Sequence, residues 1–248
     1  MMDTSKLSPV QTRGGVQSAS VSSKVLKVLL ALILAIGLMP AINTQQAFAA
    51  ADSITFDYVV GDQTESADTA TNAYVEGVYG YANGVLTLSS DITNLEFGAS
   101  VTNVTIKAAS GQPVSISTED AAAISTSATQ SLILDGTGAA ISVKSVKGAA
   151  DTKLSEAIKA LGKVTVKGNV VVANENPDTD AVDVTADGVE IAAGANLTAD
   201  VASTKDVSIT GTITGNVNAA ANAVSVSLSS SSTGTVTGNV DGAAITVD

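Results

Sequence analysis

The run Ser208-Ile209-Thr210-Gly211-Thr212-Ile213-Thr214-Gly215-Asn216-Val217 returns 23 residues later as Ser231-Ser232-Thr233-Gly234-Thr235-Val236-Thr237-Gly238-Asn239-Val240. The two copies differ only at Ile209/Ser232 and Ile213/Val236. In both, apolar residues alternate with polar ones, which buries one side of a pleated strand and leaves the other in water. A related run, Val164-Thr165-Val166-Lys167-Gly168-Asn169-Val170, lies 47 residues before the first copy, close to two periods. Gly194, in Ala193-Gly194-Ala195-Asn196-Leu197, marks the copy expected between them. A unit of this length cannot bury its apolar side alone, but stacked units can, as rungs of a parallel β-solenoid. That register puts Ile213 and Val236 inside, one above the other. It places Thr212 over Thr235 and Asn216 over Asn239 on the outside or in turns.

The same alternation recurs earlier, from Val101 to Ile106, Val114 to Ser117, Leu132 to Leu134, Ile141 to Val143 and Val182 to Val184, with Gly, Asn, Asp and Ser between. Gly111 and Gly138 stand 27 apart in similar surroundings and suggest looser rungs. The one helical signal is 151–162. Asp151 would cap it, Leu154, Ile158 and Leu161 would share a face, and Gly162 would end it. The expected organisation is a leader at 1–49, an N-terminal cap with the first rungs at 50–100, and rungs from 101 to 248 with a short inserted helix at 151–162.

The leader is read from its uncharged run Val28 to Met39, the breaker Pro40, and small residues at Ala47 and Ala49. Twelve apolar residues fall short of the roughly 20 that span a bilayer, so the segment reads as a cleaved bacterial signal peptide rather than an anchor. The mature chain would begin at Ala50, work outside the cytoplasm, and keep no integral membrane segment. It would hold eight lysines and no arginine against 23 of the 24 acidic residues, a balance of −15. Such a surface does not neutralise phosphates, so nucleic acid is excluded as a partner, whereas cations such as calcium are attracted. The chain has no cysteine, histidine or tryptophan. Disulfides, zinc or haem sites built on Cys or His, a Ser-His-Asp triad and a Cys-His pair are therefore all ruled out.

The aromatic residues after the leader are Phe56, Tyr58, Tyr74, Tyr79, Tyr81 and Phe97, and no lysine or arginine occurs between 50 and 106. Terminal repeats of a solenoid need a cap, and closing the N-terminal end is the first reading of these rings. The sharper alternative is a sugar-stacking surface made of Tyr79 and Tyr81. Three further stretches, Gly84 to Ile92, Val104 to Ile106 and Leu132 to Gly136, resemble the opening rungs of bacterial right-handed parallel β-helix proteins. These are the pectate-lyase-like surface proteins, adhesins and polysaccharide-binding modules. The resemblance, over most of 84–248, implies an all-β right-handed parallel β-helix. Lyases of that group use an arginine or lysine base beside calcium-binding aspartates, and the mature chain lacks arginine.

The densest acidic run is Asn174 to Asp187. Asn176, Asp178 and Asp180 alternate like hard-oxygen ligands, but Ala181 stands where an EF-hand loop needs glycine. A weak calcium site at Asp178, Asp180 and Asp183 is the expectation, beside the plainer reading of a solvated loop. Paired carboxylates, Glu119 with Asp120 or Asp178 with Asp180, could in principle serve hydrolysis, yet nothing separates them from solubilising charge, and no catalytic residue is assigned. The Thr-Ile-Thr and Thr-Val-Thr rows are similar to ice-binding threonine ladders, although threonine also suits any exposed strand.

The function expected is therefore non-catalytic: a secreted, surface-associated protein that binds or adheres to polysaccharide or another envelope or host surface. A pectate-lyase-like lyase or hydrolase, and a purely structural surface-layer or biofilm component, are the alternatives. Because the run Ala243 to Asp248 ends the sequence inside an apparent strand, Ile245 to Val247, with no aromatic or helical cap, end-to-end self-association or docking onto a partner through 224–248 is also expected.

Overall fold

The computed structural model describes residues 53–247 apart from 102, 127–130, 179–180, 220–221 and 227–233. The expected leader and Asp180 lie outside the described residues. What is described belongs to one compact unit, Ala47–Asp248, and is all-β.

Inward-facing residues stack into straight columns, and these columns define three faces. The first face is β5 (Val85–Leu88), β7 (Asn103–Ala108), the first halves of β10 (Ser131–Val146) and β12 (Lys163–Asn174), then β14 (Gly188–Ile191), β17 (Val207–Ile209), β20 (Ala223–Val226) and β23 (Ala244–Val247). Each pairs in parallel with the next. Leu86, Ile106, Leu134, Val166, Ile191, Ile209 and Val226 form its buried column. The second face is β6 (Ile92–Phe97), β8 (Val114–Glu119), the second halves of β10 and β12, β15 (Asn196–Thr198), β18 (Thr212–Thr214) and β21 (Thr235–Thr237). The third is a six-stranded sheet of β9 (Ile124–Ser125), β11 (Ile158–Lys159), β13 (Val184–Ala186), β16 (Val201–Ser203), β19 (Val217–Asn218) and β22 (Val240–Asp241). Such continuous parallel ladders, with one side of every strand in a shared interior, are those of a β-solenoid. Each Leu, Ile or Val so buried contributes about 1.5–3 kcal/mol of transfer free energy.

The stacking of Ile213 on Val236 and of Thr212 on Thr235 agrees with the repeat, and Gly111 donates its N–H to the Gly138 carbonyl (3.1 Å). The uniform period does not hold. Val170, Leu197, Ile213 and Val236 occupy successive positions of one column, so the steps are 27, 16 and 23 residues. The strand containing Gly168-Asn169-Val170 is two rungs from the repeat, as expected, but aligns with Gly211-Thr212-Ile213 rather than Gly215-Asn216-Val217. Corner loops absorb the difference in length because interior packing sets the register. The tightest corners require glycine. Gly215 has φ 143°, and a Cβ there would stand 2.0 Å from the Ala199 carbonyl oxygen; Gly238 repeats this against Gly215 one rung on.

The expected helix at 151–162 is absent. Leu154 bridges Pro177, and Ile158–Lys159 is a strand of the third face, paired on one side with Ile124–Ser125 and on the other with Val184–Thr185. Ile158 and Ala160 donate their N–H groups to the Asp183 and Thr185 carbonyls. A helix would withdraw those groups and leave both neighbouring rungs unpaired. Ala157, Ile158 and Ala160 are buried while Leu161 is 47% exposed, a strand-and-corner pattern.

Antiparallel strands terminate the N-terminal end. β1 (Ile54–Val60) pairs with β6 and with β2 (Gln63–Asp68), and β4 (Tyr79–Ala82) pairs with β5 and with β3 (Tyr74–Val75). Phe56 packs edge-on against Tyr79, with ring centroids 4.8 Å apart, and Tyr58 lies 6.4 Å from the same ring.

Candidate functional site

On the second face, β-branched residues favour extended backbone, and alternation sends Leu197 and Ile213 inward and their neighbours out. The outward positions are Asn169 and Val171, Asn196 and Thr198, Thr212 and Thr214, Thr235 and Thr237, two per rung over four rungs. Thr212 is half-buried and the rest are exposed. Rungs repeat every ~4.8 Å and same-side residues along a strand every ~6.6 Å, so these side chains form a shallow, regular grid. None is charged, in a chain whose formal net charge is −12. Asn196 donates its amide to Asn169 Oδ1 at 2.8 Å, which orders the first two rungs of one column. The hydroxyls of Thr198, Thr212, Thr214, Thr235 and Thr237 make no hydrogen bond to a described residue, so their donors and acceptors remain available to a ligand.

A second column keeps the edge of this face in register. At the corner into the third face, Asp183 Oδ2 accepts the Asp200 N–H (2.8 Å) and Asp200 Oδ1 accepts the Asn216 N–H (2.7 Å). Asn216 Oδ1 then accepts the Asn239 N–H (3.0 Å). Each side-chain oxygen thus satisfies a backbone donor of the next rung, a donor that the turn would otherwise leave unpaired. Asn216 over Asn239 was legible in the repeat, but the aspartates that extend the column were not, because their spacings of 17 and 16 residues differ from the period.

Of the residues expected to bind calcium, Asp178 and Asp183 are described, whereas Asp180 lies outside the described residues. Both carboxylate oxygens of Asp183 are engaged, Oδ1 by the Asn174 N–H (2.9 Å) and Oδ2 by Asp200. Asp178 is exposed, with its N–H on the Leu154 carbonyl. Asn176 is buried: its amide nitrogen donates to Thr152 O (2.8 Å), and its oxygen accepts from Lys153 Nζ (2.5 Å). Among the described residues no group of three or more acidic side chains is placed to hold a metal. Asp120, considered above with Glu119 as an acid–base pair, is also committed. Its carboxylate accepts the N–H groups of Gly148 (3.1 Å), Ala150 (2.7 Å) and Thr152 (3.0 Å). Desolvation pushes its pKa up, but these three donors outweigh it and hold the group below the usual carboxylate range.

Of the two tyrosines expected to stack on sugar, Tyr79 is 2% exposed and fills the cap. Its hydroxyl donates to the Asn72 carbonyl, and burial, with Tyr58 and Asp68 nearby, pushes its pKa up. A ring so enclosed has no face to offer. Tyr81 is partly buried against the same core. The exposed ring is Tyr74, at 64%, which the sequence groups with the cap rings rather than with the sugar-stacking pair. The signal was its pairing with Gly80 across a hairpin, a contact visible only once β3 and β4 are aligned. No family model, no curated protein and no solved structure matches the chain significantly.

Proposed function

We propose that the chain is a non-catalytic polysaccharide-binding protein, exported and held at the cell surface, and wound as a right-handed parallel β-helix of the pectate-lyase-like kind. The observation that supports binding is the second face from β12 to β21, where eight outward side chains on four rungs are uncharged and all but Val171 carry a hydroxyl or an amide. An extended ligand meets at least one hydroxyl or amide group at every rung, so small contacts add along its length. Right-handed winding follows the strong preference of parallel crossover connections. No catalytic residue is assigned. The carboxylate of Asp120, which acid–base chemistry would need free, is spent on backbone N–H groups.

A glycan array probed with the purified protein tests this reading. Binding to one or more neutral polysaccharides is expected, together with silence in reducing-sugar and unsaturated-product assays on the same polymers. Thr214→Val with Thr237→Val deletes two hydroxyls while keeping the branched strand residue. It should weaken binding about tenfold, roughly 1.4 kcal/mol. Unchanged affinity in this variant, or product formation, overturns the reading.

A further inference from the structure

Eight lysines follow residue 49, and six of them reach an acidic partner within 3.8 Å. Lys107 and Lys167 are the exceptions among the described residues. Both lie on the first face, and the strand register puts them in the same outward row. The row runs Tyr74, Gly80, Thr87, Lys107, Asp135, Lys167, each cross-strand from the next. The inward neighbours Tyr79, Leu86, Leu88, Ile106, Ala108 and Leu134 are buried, so alternation turns the whole row outward. Tyr74 stands beside Gly80, where a Cβ would come within 3.6 Å of Tyr74 Cδ2. The missing side chain leaves a flat step between the ring and Thr87. Asp135 separates the two lysines, but its Oδ1 is taken by the N–H and hydroxyl of Thr137 (3.1 and 2.5 Å).

From this arrangement we propose a second binding site across the first face, whose ligand is a glycan chain carrying anionic groups. One sugar ring stacks on Tyr74, the most exposed of the described aromatic rings. The chain then runs over Gly80 and Thr87, and its anionic groups meet Lys107 and Lys167. The strand positions of Lys107 and Lys167 are two spacings apart, about 10 Å, and Lys107 is three spacings, about 14 Å, from Tyr74. Lysine is a rotatable point charge, so sulfate, phosphate and carboxylate groups all suit it. Among the described residues of this strongly acidic chain, the two lysines without an acidic partner thus share one outward row with the most exposed aromatic ring. The site shares with the preceding proposal the premise that the protein binds glycans, but it uses a different face.

Calorimetric titration of the full chain with dextran sulfate, carboxymethyl dextran and unmodified dextran isolates the contribution of charge on one backbone. At least one charged polymer should bind more tightly than unmodified dextran, and whichever binds identifies the anionic group. Raising salt from about 50 mM to about 500 mM should weaken that binding, because these charges are exposed. Lys107→Ala with Lys167→Ala should cost about tenfold, as expected for two exposed charge pairs. Tyr74→Ala should also weaken binding, while Tyr74→Phe retains it, and none of these variants should lower the melting temperature. The Thr214→Val, Thr237→Val variant of the second face should bind the charged dextrans normally, which separates the two proposals. Failure of both charged polymers to bind, or wild-type affinity in the double lysine variant, overturns this one.

Discussion

Ile213 is fully buried between Leu197 and Val236 in its column, while Thr212, one residue earlier, faces the other way. Ile213→Asp therefore buries an unpaired charge and should cost several kcal/mol, whereas Thr212→Asp should stay within about 0.5 kcal/mol of wild type. Urea unfolding of the two variants checks this, and equal stabilities would contradict the alternation. At Asp120 the expected effect depends on pH. Its carboxyl is held below its ordinary range when folded, by the Gly148, Ala150 and Thr152 N–H groups. The stability it supplies is therefore complete above its unfolded pKa, about 3.9. It is lost as pH falls from there through the lower folded value. Thermal unfolding followed below about pH 4 should show a shallower acid decline in Asp120→Asn than in wild type.

At the scale of the element, the corner between the second and third faces depends on side chains that replace backbone pairing. Asp200 alone holds both the N–H (2.7 Å) and the amide (3.1 Å) of Asn216. Asp200→Ala should cost about 1–2 kcal/mol. Asp200→Asn should recover most of this, because Asn216 makes the equivalent bond to Asn239 through an amide oxygen. Equal losses in the two variants, measured by urea unfolding, would show that packing at the corner matters rather than the acceptor. The segment 151–162 teaches a related lesson. Leu154, Ile158 and Leu161 do have helical spacing, but a ten-residue helix gains little by itself, while the rungs on either side offer backbone partners to Ile158 and Lys159. Tertiary pairing overrides the local pattern.

For the whole molecule, the two ends differ. The N-terminal edges are covered by antiparallel strands and the Phe56–Tyr79 pair. At the other end, β21, β22 and β23 each have one strand neighbour among the described residues. Ile245 and Val247 are 52% and 59% exposed there. Edges of this kind recruit further strands. A chain of these 248 residues is expected to self-associate as its concentration rises, and Ile245→Lys to reduce that association. Sedimentation over a range of concentrations is the measurement, and a monomer at every concentration would contradict the expectation.

The sequence by itself determined which side of each strand faces inward. Burial rewards every second residue whatever its neighbours, so Ile213, Val236 and Thr212 could be assigned from alternation alone. It also showed the Gly111–Gly138 rung and the two-rung distance from β12 to the repeat. It did not determine which residues stand above one another where rung length changes. A corner loop lengthens or shortens at little cost, so steps of 27 and 16 residues are as acceptable as 23, and only the packed interior decides between them. For the same reason, the row of Tyr74, Lys107 and Lys167, the aspartates of the corner column and the enclosure of Tyr79 became visible only in three dimensions. Each depends on strand neighbours whose separation along the chain follows no period.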